Sequence, residues 1–199
     1  MERKLILCAG RQERWLHDHD GKLPLFKQLV EVDGQVLIKR IQSQFPNAMV
    51  VTNAPEIIKH SKYYFEPEDT RATICTLYST MKMWDEWNTI LLGDVSYGQK
   101  TIDLISSQTA PMMFYGNRQE IFAVKFHVVQ MVSVVKAIHS IVNDKLWSPK
   151  FGKLWNLYRR LNLRDYRVHD IYDFFTFVSD CEDFDNCEQY YKYAKDKAI

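Results

Sequence analysis

The stretch KLILCAGRQERWLHDHDGKLPLFKQLVEVDGQVLI, residues 4–38, decides the fold. It opens on an apolar run, LILCA at 5–9, of the right length for a buried strand, and that run stops at Gly10. A polar loop follows, with Arg11 and Arg14 close behind the glycine. Lys27 precedes a second apolar patch at 29–32, Asp33-Gly34 marks a turn, and residues 36–45 read as a helix. A strand feeding a cationic loop suits phosphate. The small residues Ala9 and Gly10 let backbone N–H groups approach an anion. Arg11, Arg14 and Lys27 can neutralise its charge, arginine through a two-pronged fork and lysine as a point charge. An ordinary strand-loop-helix unit with solvated charges has the same outline.

Outward from this unit, Pro46-Asn47 breaks the chain and AMVVTN at 48–53 reads as a second core strand. Strand, helix, strand at this spacing implies a right-handed crossover and a parallel sheet. Ligands of such sheets bind beyond the carboxyl ends of the strands, where the Gly10 loop and Thr52-Asn53 fall. Residues 56–62 read as a short helix, 63–65 as a short strand and 66–71 as loop. Apolar Ile74, Leu77, Met81 and Trp84 predict a helix over 73–84. Arg71, Thr73 and Thr76 stand at its start, where hydroxyls also serve as caps. NTILLGDV at 88–95 reads as a buried strand ending in Gly93-Asp94. A carboxylate at the end of a central strand points into the cleft and can hold Mg²⁺ against phosphate oxygens. An aspartate there can equally begin a turn or cap a helix.

Residues 97–106 read as a helix with Ile102 and Ile105 inward. Segments 112–115 and 121–125 flank Gly116-Asn117-Arg118 and read as an antiparallel pair, which makes the sheet mixed. Residues 126–143 carry a long apolar stripe, with His127 and His139 read as core or surface residues rather than ligands. The aromatic and basic stretch WSPKFGKLWNLYRRLNL at 147–163 suits either base stacking or an amphipathic helix. Packing is favoured, with Trp155, Tyr158 and Leu161 inward and Arg159 and Arg160 in solvent. Residues 168–171 read as a short edge segment. Asp183 and Asp185 stand ahead of a lysine-rich terminal helix, where acids are also good capping.

The chain of 199 residues is 46% apolar and 26% charged with a net charge of +1, which is the balance of a globular domain with a real core. That charge carries no nucleic-acid or acidic-partner signal. No apolar run is long enough to span a membrane. The start turns polar at once, unlike a signal peptide, so a cytoplasmic setting is expected. Cys8, Cys75, Cys181 and Cys187 show no CxxC pairing and read as free thiols, with a Cys181–Cys187 bridge conceivable only under oxidising conditions. No zinc-ligand spacing joins them to His17 and His19.

The segments LCAG-RQER, FKQLVEVDG, LLGD and DFD, in that order, resemble the signatures of nucleotidyltransferases with a GT-A-like α/β fold, which include sugar-phosphate nucleotidylyltransferases and cytidylyltransferases. The resemblance implies one domain over 1–199, a three-layer α/β/α architecture with a mixed, mostly parallel central sheet. It implies transfer of a nucleoside monophosphate from an NTP to a small phosphorylated acceptor, with Mg²⁺ and release of pyrophosphate. Arg14, Lys27 and Asp94 would be catalytic, and Ala9, Gly10, Arg11, Arg71, Thr73, Thr76 and Gly93 would bind the nucleotide. Tyr115, Asn117, Arg118 and Lys125 would meet the acceptor, and Asp94 with Asp183 or Asp185 would hold the metal. Two places depart from the pattern: Phe26 stands where proline is usual, and Gln12 and Glu13 where glycines are. A glycosyltransferase of the same fold, using a sugar nucleotide, is an alternative, although such enzymes place Asp-x-Asp where this chain has Gly93-Asp94-Val95. A non-catalytic binding module is another, favoured by the two departures. Oligomeric state stays open.

Overall fold

In the computed structural model the first apolar run becomes an interior strand of the main sheet, β1 (Glu2–Leu7). Residues 1–10, 12–19, 21–167 and 170–197 are described, Glu13 by its backbone alone. A short helix α1 (Glu13–His17) follows, then a 3-10 turn at Lys27–Leu29 and a hairpin of β2 (Glu31–Val32) and β3 (Gln35–Val36). Next come α2 (Leu37–Gln44), β4 (Met49–Val51), α3 (Pro55–Ile58), β5 (Tyr64–Phe65) and α4 (Thr73–Ser79). The middle of the chain gives β6 (Trp87–Leu92), β7 (Val95–Tyr97), α5 (Gln99–Ser107), β8 (Met112–Gly116), β9 (Ile121–His127) and α6 (Met131–Val142). The last part gives α7 (Leu154–Leu161), β10 (Phe175–Phe177), β11 (Cys181–Asp183) and α8 (Cys187–Lys197).

Seven strands form one sheet in the order β10-β8-β9-β6-β1-β4-β5. β9 alone runs against its neighbours, pairing antiparallel with β6 and β8, while the other pairs are parallel. Alternation along each strand feeds two cores. Ile6, Val50, Leu91 and Ala123 face Leu37, Ile38 and Ile41 of α2 and Ile102 and Ile105 of α5. Leu5, Leu7, Val51 and Ile90 face α4, α6 and α7. That is why β1 reads as an unbroken apolar run: both of its faces are covered. The expected three layers and mixed, mostly parallel sheet are present.

Several elements differ from their expected limits. The loop after Gly10 holds α1, because Trp15 is fully buried and its indole donates to Pro24 O at 3.0 Å. The helix expected from 97 begins at Gln99, since Val95–Tyr97 pairs antiparallel with Cys181–Asp183. The helix expected from 126 begins at Met131. Phe126 and His127 are still in β9, opposite Asn88 and Trp87, and a 3-10 turn at Val128–Gln130 intervenes. The helix expected over 73–84 ends at Ser79 and a 3-10 turn covers Met81–Met83.

Arg159 is not solvated: it is buried, lies over the Trp155 ring and donates to Tyr166 O. Trp155 and Tyr158 do pack inward, in the core under α7. Of the expected edge segment, Val168 and His169 lie outside the described residues and Asp170 and Ile171 are in no strand; β10 forms that edge. All four cysteines are free thiols. Among the described residues, no helix is long and apolar enough to cross a membrane.

Candidate functional site

The ends of β1 and β6 converge beneath the site. Gly93 N donates to Leu7 O at 3.0 Å, and a Cβ at Gly93 would collide with Cys8 Sγ. Glycine at 93 therefore lets the two strand ends approach, and it brings Asp94 up beside the Gly10 loop. Tyr97 fixes that strand end from below. Its buried hydroxyl donates to Phe122 O at 2.7 Å, accepts from Leu92 N at 2.9 Å and lies 3.1 Å from Leu92 O. Tyr97→Phe leaves these buried backbone groups short of a partner and is expected to cost about 1–3 kcal/mol in denaturant unfolding, with the loss read as a lower midpoint.

Two further carboxylates arrive from far along the chain. β11 pairs with β7 so that Asp183 lies opposite Val95, and Phe184 N donates to Asp94 O at 3.1 Å. Phe184 is buried against the rings of Tyr190 and Tyr193. Alternation about Phe184 turns Asp183 and Asp185 toward Asp94. Each of the three offers a carboxylate oxygen within 4.8 Å of the others.

Two cations meet them. Lys27, in its 3-10 turn, is buried, pairs with Asp94 and lies 3.5 Å from Asp185. Arg14 of α1 reaches Asp185 at 2.6 Å. Gln12 stands at a position where the resembling pattern has glycine and takes the left-handed conformation glycine favours, φ 55°. Its side-chain oxygen accepts from Lys27 N at 2.9 Å, which ties the arginine loop to the lysine turn. Burial opposes the charge on Lys27, but Asp94, Asp183 and Asp185 outweigh it and hold its pKa above the usual lysine range. Burial, reinforced by Asp94 and Asp185, pushes the pKa of Asp183 up to about 8. Burial beside two like charges thus favours the protonated form of Asp183, and an added cation would oppose that. Hard oxygen donors at this spacing fit Mg²⁺.

Above these groups lies a cleft of about 180 Å³, lined by Ala9, Gly10, Thr73, Thr76 and the charged cluster. A recess of about 300 Å³ adjoins it and adds Arg71, Lys150 and Gly152. Arg71 is held there by Asp69 at 2.7 Å and by the Trp147 ring. Arg14, Lys27, Asp94, Asp183, Asp185, Ala9, Gly10, Thr73 and Thr76 are therefore brought together, with Arg71 at the side and Gly93 behind. Arg11 lies outside the described residues.

The four residues expected at the acceptor end are elsewhere. Lys125 is buried, donating to Ile105 O and Ser106 O and lying 3.4 Å from Glu2. Tyr115 is buried, with its hydroxyl 3.4 Å from Leu104 O. Asn117 shapes the hairpin by accepting from Gln119 N and Glu120 N, and Arg118 is not among the cleft residues. Alternation explains the miss: Tyr115 and Lys125 point to the core or to the far end of the sheet. In their place the cleft has Glu120, Lys153 and Trp155. Gln28 also lines it, buried, with a side-chain oxygen that has no partner among the described residues. A polar residue directly after Lys27 was the only signal for Gln28.

No protein-family model matches the chain, and no curated protein matches it in sequence. Solved structures do. A CTP:phosphocholine cytidylyltransferase from Streptococcus pneumoniae superimposes with TM-score 0.65 at 11% identity, over 98% of this chain and 99% of that one. A Bacillus anthracis protein assigned as a glucose-1-phosphate thymidylyltransferase does so with TM-score 0.64 at 12% identity, over 100% and 96%. A homologue of Mycobacterium tuberculosis rv0371c from Mycobacterium sp. strain JC1 follows with TM-score 0.63 at 14% identity, over 99% and 96%. The chain thus has the fold of nucleotidylyltransferases along its whole length.

Proposed function

We propose that the chain, as one domain over 1–199, is a nucleotidyltransferase that moves a nucleoside monophosphate from an NTP to a small phosphorylated acceptor. The observation that carries this reading is the convergence of Lys27, Arg14 and three carboxylates on a cleft at the carboxyl ends of β1 and β6. The fold it shares with a phosphocholine cytidylyltransferase supports it.

An acceptor phosphate oxygen forms a bond to the α-phosphorus. The bond to the bridging oxygen breaks, and pyrophosphate leaves with the electron pair. The acceptor is already an anion, so no general base is needed. Lys27 and Arg14 neutralise charge on the phosphates, and the open Gly10 backbone lets them approach. Positioning of the two reactants supplies the remainder. Asp94, Asp183 and Asp185 would hold Mg²⁺, which supplies Lewis-acid neutralisation of the phosphate oxygens. Thr73, Thr76 and Arg71 sit where the nucleoside would lie. Free NTP and four free thiols both suit the cytoplasm.

Thermal unfolding against ATP, CTP, GTP, UTP and common sugar nucleotides, each with and without Mg²⁺, tests this. One NTP is expected to raise the midpoint only when the metal is present, by mass action on the folded state. A shift with a sugar nucleotide alone would replace the reading by a glycosyltransferase, and no shift with any would leave a binding module.

A further inference from the structure

We propose that a second cavity, between α4 and α6, binds a small carboxylate with a compact apolar body, and that its occupancy weakens nucleotide binding through Arg71. The binding site stands on the cavity itself. The coupling rests on the nucleotidyltransferase reading of the cleft.

The cavity holds about 190 Å³. Its floor is apolar, with Ile138 buried and Tyr78 and Val142 packed partly buried against the same core. Tyr78 meets His139 edge-on with ring centroids 4.9 Å apart, which joins the two helices. Arg71 stands on the rim, and His139 and Asn143 line the same space. An apolar floor under a few convergent polar groups suits a small molecule. The size sets the body at about one ring or a short branched chain, since about 150 Å³ is enough for benzene.

Charge on the rim sets the sign of the ligand. Asp69 is already satisfied: its carboxylate accepts from Arg71 N, Nε and Nη2 at 2.7–3.1 Å, and the Cys75 thiol donates to it. The guanidinium is not. Its Nη1 makes no hydrogen bond among the described residues, and the side chain is 54% exposed. It can therefore take a second carboxylate, with the Asn143 amide and the His139 ring as further donors.

The same guanidinium lines the recess beside the Gly10 loop. It is carried by the loop between β5 and α4, and so exposed an ion pair holds it weakly. A carboxylate in the cavity draws Arg71 from the recess, and a nucleotide that engages Arg71 withdraws it from the cavity. Each ligand weakens the other by the same factor.

Calorimetric titration with benzoate and 3-methylbutanoate tests the site, with benzylamine as the control of opposite charge. At least one carboxylate is expected to bind and benzylamine is not. Val142→Phe fills the floor, and Asn143→Trp closes the mouth from an exposed position. Both are expected to weaken carboxylate binding about tenfold or more and to keep Mg²⁺-dependent stabilisation by an NTP. No binding of either carboxylate, equal binding of benzylamine, or binding that survives both variants would overturn the site. The last outcome would put the anion in the cleft with Lys27 and Arg14 instead. For the coupling, a saturating carboxylate is expected to raise the Kd of the NTP about fivefold or more, and to have no such effect in Asn143→Trp. An unchanged Kd with the carboxylate bound would overturn the coupling. An unaltered protein that binds no NTP would remove the reading of the cleft and the coupling with it, while the carboxylate titration still decides the cavity.

Discussion

Lys27→Met protein is expected to unfold well below the unaltered protein at pH 8.5 and to close most of the gap at pH 5. Lys27 is the buried counter-ion of Asp94 and Asp185, and removing one partner of a buried pair costs about 3–5 kcal/mol. In a chain of this size about 3 kcal/mol corresponds to roughly 6–12 °C in melting midpoint. The pH sign follows from Asp183, whose folded pKa of about 8 lies above that of an unfolded aspartate. A carboxyl raised in this way contributes stability that is full below about pH 4 and gone above about pH 8. As the pH rises past about 8, Asp183 loses its proton and its charge needs Lys27, whereas at pH 5 it keeps the proton. Added Mg²⁺ is expected to restore more of the midpoint in Lys27→Met than in the unaltered protein, because the cation takes over from the ammonium. Equal midpoints of the two proteins at pH 8.5 would remove Lys27 from the charged cluster.

Asp94→Ala is expected to lower pyrophosphate release by about a thousandfold or more while the protein stays folded. Its carboxylate stands where the central strands open into the cleft, in contact with Lys27 and within metal-sharing distance of Asp183 and Asp185. The stability change is expected to be small, since loss of the pair with Lys27 is offset by relief of repulsion with two other carboxylates. Circular dichroism and the melting midpoint check folding separately from turnover. Unchanged turnover in a folded variant would exclude Asp94 from the site.

Much of this site was legible because its parts are local. An apolar run ending in Ala9-Gly10, a run ending in Gly93-Asp94 and the Asp183-Phe184-Asp185 alternation each state a strand end and a side-chain direction in a few residues. Lys27 was legible for the same reason, as a cation just before an apolar patch. The acceptor end was not, because Tyr115 and Lys125 belong to strands covered on both faces, where a polar side chain can be satisfied inside the core. Lys125 is satisfied by Ile105 O, Ser106 O and Glu2. Arg159 was misplaced in solvent because its carbonyl and aromatic partners come from tertiary packing, which period alone does not show. The β7–β11 ribbon was missed because short strands paired nearly ninety residues apart leave no local trace.

That ribbon sets a schedule for assembly. Lys27 and Asp185 meet across 158 positions of sequence, whereas the strand that carries Asp94 is complete by Leu92. During synthesis all seven strands of the main sheet are made before Asp183 and Asp185. The growing chain therefore presents Arg14, Lys27 and Asp94 without the carboxylates that complete the cluster. Closing so long a loop is slow relative to local pairing. Competence for chemistry would thus wait until β11 is made and has paired with β7. A protease cut between Phe184 and Cys187 would undo that event while leaving the sheet whole.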